Sequence, residues 1–166
     1  MTWTPVALGD GLAQLVWECF SDFIETAPTT PTGPEGTPTP DLVPEELLIL
    51  FLWVHTRTCQ QALAGRVDAD TLRTTLDALH RAVFEDMEAH GVSREALPLF
   101  EQRVSARYSE YYAAASGDGH RFGNIAATRV SGRTTDNPAF SALLAEATLA
   151  AAGPLRDFLD DIEITR

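Results

Sequence analysis

The side chains best placed to do chemistry in this sequence gather in one window. Arg103 and Arg107 lie four apart and Tyr111 follows after four more, so on a helix two guanidinium forks and a phenol share one face. His120 and Arg121 come a short way on. Residues 93–133 contain all three tyrosines of the chain, Tyr108, Tyr111 and Tyr112, and six arginines against four acids, a local +2 within a chain of −12. Such a group suits a carboxylate, a phosphate or an acidic helix of a partner. Arg103, Arg107, Tyr111, His120 and Arg121 are therefore the candidate ligand-binding residues. The competing reading, which weighs more, pairs these arginines with the chain's own surplus carboxylates.

His55 and Cys59 are also four apart and could hold a metal jointly, but a complete site needs one or two further ligands. Both follow an apolar run. A packed cysteine beside a hydrogen-bonded histidine is the preferred reading. A third group, Glu85, Asp86 and Glu88 with His80 and His90, lacks the Glu-x-x-His spacing of di-iron bundles, because Met87 stands three before His90. An exposed helix face with a histidine near its C-terminal dipole explains it better. No GxGxxG, Walker loop, GxSxG, HExxH or EF-hand loop is present. No cofactor is implied and no catalytic residue can be named, which leans against an enzyme.

The elements that must carry these residues read as helices. Leu12, Leu15, Val16, Cys19, Phe20, Phe23 and Ile24 recur at three-and-four spacing, with Asp10 as the expected N-cap. Pro44, Glu45 and Glu46 open a second helix that runs through the apolar segment Leu47 to Val54 to a stop at Gly65. Asp68 or Asp70 caps a third, whose stripe of Leu72, Leu76, Leu79, Val83 and Met87 ends in Gly91-Val92, a Schellman stop. A fourth starts at Pro98, carries Phe100, Val104, Tyr108, Tyr111 and Ala115, and stops in Gly117-Asp118-Gly119. Phe122, Ile125 and Val130 mark a short fifth helix. Asn137-Pro138 opens an Ala-rich helix to Ala152, with a break expected at Gly153-Pro154 and a final turn or two through Phe158, Leu159 and Ile162.

Between Thr26 and Pro44 lie six of the ten prolines and six threonines, a composition that cannot continue a helix and reads as a tether. The expected organisation is an amphipathic helix at 1–25, a Pro/Thr-rich linker at 26–44 and a helical bundle at 45–166. The fold class is all-α, with about five to seven helices. An isolated amphipathic helix is marginal in water, so the first must dock on its own domain or on another chain.

At 166 residues the chain is long enough for one core without disulfide or metal staples. It holds 24 acids against 12 basic residues, all of them arginine, which argues against a nucleic-acid partner. The missing lysine fits either a GC-rich genome or a salt-rich cytoplasm. Cys19 and Cys59 are forty residues apart in sequence and indicate no disulfide framework. The opening MTWTPVALGD has no basic and no long apolar region, and the eight-residue apolar run is far short of the ~20 that a bilayer span needs. A cytoplasmic protein with no integral membrane segment is expected.

The stretch Phe84 to Ala113 resembles the ubiquinol-cytochrome c chaperone family at Asp86-Met87, Gly91-Val92, Arg107 and Tyr108, after an apolar helix containing Trp53. The turn between Asp86 and Gly91 is shorter than in that family, and the aromatic spacing after Gly91 departs from it. The resemblance implies an all-helical assembly factor that binds another polypeptide and has no active site. Two functions of different classes follow. The preferred one is a non-enzymatic module that binds a protein or self-associates as a homodimer. The alternative is a binder of, or enzyme acting on, a small anionic ligand at the Arg/Tyr/His cluster.

Overall fold

The computed structural model describes residues 2–27, 40–117, 119–133 and 137–165, the side chain of His120 excepted. Among these residues there are six helices: α1 (Pro5–Thr26), α2 (Pro44–Leu63), α3 (Ala69–Ala89), α4 (Leu97–Ala115), α5 (Gly119–Val130) and α6 (Pro138–Asp161). The fold is an all-α bundle. A two-residue parallel ladder, β1 (Thr2–Trp3) on β2 (Glu163–Ile164), ties the start of α1 to the end of α6. Two residues are too short for a period-2 pattern to register in the sequence.

α2 is the central helix. Its residues from Glu46 to Thr56 are buried without interruption, and it packs against each of the other five helices. An apolar run with no solvated side has no other stable place in water. The remaining helices surround it. α1 lies mainly on α3, while α6 lies on α2 and α5.

Helix ends follow local chemistry. The Asp68 carboxylate accepts from the Thr71 amide at 2.7 Å, and Asn137 Oδ1 accepts from the Phe140 amide at 3.0 Å. Gly91 adopts a left-handed φ of 99°, and the Val92 amide reaches back to the Met87 carbonyl at 3.0 Å, completing the Schellman stop. α4 has its proline in the first turn, as the sequence predicts.

Two ends differ from expectation. α1 begins at Pro5 under a Thr4 cap, not at Asp10, which sits within the helix and pairs with Arg81 of α3 at 3.1 Å. α6 runs through Gly153-Pro154 without a break. Leu155 and Leu159 beyond the proline are buried, and Arg66 donates to the carbonyls of Leu159, Asp160 and Ile162 at 2.6, 3.2 and 3.0 Å. Packing and this arginine cap outweigh the hydrogen bond that Pro154 removes.

The expected tether at 26–44 falls mostly on residues 28–39, which lie outside the described ones. α1 itself docks on α3 and α2 of the same chain. Among the described residues α6 alone is long and apolar enough to cross a bilayer by length and composition, and 28% of its apolar stretch is buried.

Candidate functional site

α4 brings Arg103, Arg107 and Tyr111 to the seam it forms with α2, where the first turn of α2 supplies carboxylates. Arg103 pairs with Glu45. Arg107 makes a two-pronged contact with Glu46, Nε to Oε2 at 2.8 Å and Nη2 to Oε1 at 3.0 Å, and Glu46 is 7% exposed. Arg107 also reaches Glu110 at 3.4 Å, and Glu110 in turn accepts from Arg129 of α5 at 2.8 and 2.9 Å. The Glu46 hydrogen bond, more than any other contact, holds the Arg107 guanidinium above its ordinary pKa. Three arginines and three carboxylates thus form one ladder that joins α2, α4 and α5.

Tyr111 lies under this ladder, fully buried against Trp53 and Phe122 at ring separations of 5.5 and 5.8 Å. Burial pushes its phenol pKa up. Arg121 is exposed on α5, and His120 enters the first turn of that helix with its side chain outside the described residues. The expected five residues therefore divide: three share a seam already filled by the chain's own acids, and Arg121 stands apart from them.

The histidines are built into the frame. His55 is 1% exposed, and its Nδ1 donates to the Phe51 carbonyl at 2.8 Å. Desolvation lowers its pKa to about 4, so the ring is neutral. The Cys59 thiol, buried one turn on, is pushed up to about 12 and stays protonated. Among the described residues no group of three His, Cys, Asp or Glu side chains is placed to hold a metal. His80 Nδ1 donates to the Leu76 carbonyl at 2.7 Å, which leaves Nε2 to accept from the Tyr108 hydroxyl at 2.9 Å. Tyr108 in turn accepts from Thr56 Oγ1 at 3.0 Å, so the chain of bonds locks α3, α4 and α2 with a neutral imidazole. His90 closes on its own helix through the Asp86 carbonyl.

Two features of α6 escape the sequence reading. A groove of about 420 Å³ between α2, α5 and α6 carries Trp53, Phe122, Leu149, Arg57 and Arg156. Arg57 lies over the Trp53 ring, 5.3 Å from its centroid, and Arg156 donates to Gln61 at 2.9 Å. Among the described residues neither arginine has an ion-pair partner, although acids outnumber arginines two to one. The second feature is the solvent side of α6, where Ala142, Glu146, Leu149, Gly153, Arg156 and Asp160 recur at alternating steps of four and three and are all exposed. Leu149 is 73% exposed, and a Cβ built on Gly153 would meet none of the described residues within 4 Å. The Ala-rich sequence of α6 hides this, because its apolar positions give no single sharp stripe.

Comparison of the chain with protein families, characterised proteins and solved structures finds no match.

Proposed function

We propose that this protein is a non-enzymatic helical interaction module that self-associates through the exposed side of α6. The observation that carries the reading is the self-complementary order of that side. An antiparallel second copy centred on Ala151 sets Leu149 over the open notch at Gly153 twice, and Glu146 against Arg156 twice, with the small Ala142 opposite Asp160. Alternating steps of four and three residues are what two packed helices need. Gly within a helix costs about 1 kcal/mol relative to Ala, and none of the described residues crowds Gly153, so close approach of a partner gives it a use.

Other observations agree with a role that needs no catalysis. His55 and His80 are neutral, buried or half-buried, and engaged with helix carbonyls, and Cys59 is held as a thiol. Burial makes the His55 ring a weak base and keeps Cys59 from the thiolate form near neutrality, so neither is tuned for proton transfer or nucleophilic attack. The likeness of residues 84–113 to a family of assembly factors is in keeping with the same role.

Sedimentation velocity across a wide concentration range tests the proposal. The wild type is expected to pass from monomer to dimer, and Leu149→Glu to weaken the dimer by more than about tenfold, since it puts a charge in place of a leucine that the dimer would bury at each of two symmetry-related contacts. Glu146→Arg should weaken it as well, and Arg156→Glu added to Glu146→Arg should restore part of the loss. A wild type that stays monomeric at every concentration, or that partitions onto lipid vesicles through α6 instead, overturns the reading.

A second reading keeps the small anionic ligand but places it in the α2/α5/α6 groove, where Arg57 and Arg156 lack carboxylate partners among the described residues. An aromatic carboxylate would lay its ring along Trp53 and its charge toward the guanidiniums. It would share Leu149 and Arg156 with the dimer contact, so benzoate should compete with self-association under this reading and leave it untouched under the first.

A further inference from the structure

On the opposite side of α6 a second cleft opens between α1 and α6, which both pack on α2 but not extensively on each other. Its volume is about 520 Å³. The walls are apolar, with Leu15 and Gly11 from α1, Ala151 and Phe158 from α6, and Trp3 closing one end edge-on against Phe158 at 5.9 Å. Among the described residues no ionised side chain lines it. The Cys19 thiol on its rim is raised above its ordinary pKa by burial, and Gln14 is neutral.

One polar group borders this apolar space without a partner among the described residues. His55 comes from α2, and because its Nδ1 donates to the Phe51 carbonyl, its Nε2 is an acceptor on the far edge of the ring, with no bond among the described residues. One open acceptor in an uncharged apolar cleft matches a hydroxyl group on an apolar body, since a hydroxyl can donate without bringing a charge. A carboxylate would find no cation there. A plain hydrocarbon would leave His55 Nε2 unpaired.

We infer that this cleft binds a neutral apolar alcohol or phenol, whose hydroxyl donates to His55 Nε2. The site lies on the side of α6 away from the Leu149 face, so it stands or falls separately from self-association.

Binding of 1-decanol, decane and decanoate to the full chain, followed by tryptophan fluorescence and thermal shift, tests the inference. Decanol is expected to saturate the signal and raise Tm, with decane about tenfold weaker because one buried hydrogen bond is unmade, and decanoate no better than decane. Ala150→Phe, at an exposed position on the wall, should abolish binding of all three by filling the cleft. His55→Leu should bind decanol and decane alike. Nitrogen NMR of His55 should show Nε2 shifting with decanol only. Equal affinity of the wild type for decanol and decane, absence of binding, or undiminished decanol binding by Ala150→Phe overturns the inference, and none of these three readouts depends on how His55→Leu folds.

Discussion

At the scale of single residues, burial decides what each titratable group does. His55 has a pKa of about 4 in the folded chain against 6.5 when free, so the unfolded chain binds the extra proton first as pH falls. The stability that neutral His55 contributes is complete above about 6.5 and is lost progressively down to about 4, a total of about 3 kcal/mol. His80 is shifted in the same direction by desolvation and adds to the loss. Urea unfolding should therefore show stability about 2 kcal/mol lower near pH 5 than at neutrality. His55→Leu should flatten much of that slope, and an unchanged slope would mean that His55 is not neutral in the fold. The ring's identity as a packed, hydrogen-bonded histidine was legible from its place after an apolar run. Its open Nε2 was not, because the cleft beside it is made by α1 and α6, far away in sequence.

At the scale of elements, what the chain spells locally could be read and what it settles by contact could not. Asn137-Pro138, Asp68 and Gly91-Val92 announce helix ends because the capping partners lie within a few residues. Arg103, Arg107 and Tyr111 share a helical face for the same reason. Their partners Glu45 and Glu46 stand 58 and 61 residues away, so the same glutamates read as dipole complements of α2 and nothing more. The start of α1 shows the other failure. Asp10 reads as the cap before the apolar stripe, yet Gly9, Asp10 and Gly11 are all helical. Gly9 is there because α1 and α3 touch: a Cβ on it would stand 2.5 Å from both Ala78 Cβ and the Thr75 carbonyl oxygen. No real pair of atoms tolerates that distance, so α1 must shift or the helix must go. Gly9→Ala should destabilise the chain by about 1–3 kcal/mol despite its better helix propensity. Chemical denaturation checks the sign, and a stabilised Gly9→Ala chain would show that the contact is looser than described.

At the scale of the whole molecule, charge sets how the protein responds to its medium. A net −12 on 18.1 kDa leaves carboxylates in twofold excess over arginines, so like-charge repulsion acts across the molecule. Several of the ion pairs that offset this, such as Arg73–Asp70 and Arg94–Glu88, are largely exposed and contribute little each. The Glu46–Arg107 contact is the exception, and its burial shields it from salt. Repulsion is thus the electrostatic quantity that added salt changes most. Raising NaCl toward about 0.5 M, where the Debye length falls well below its ~10 Å at 0.1 M, should raise Tm. The same argument carries over to self-association, because two copies each bring a net −12 to the contact while the pairing of Glu146 with Arg156 at its edge gains little. Salt should therefore tighten the dimer, and Glu146→Gln should reduce that response only slightly. A dimer that salt loosens would mean that the two Glu146–Arg156 pairs outweigh the repulsion of the acidic surfaces, and Glu146→Gln should then reverse the salt dependence.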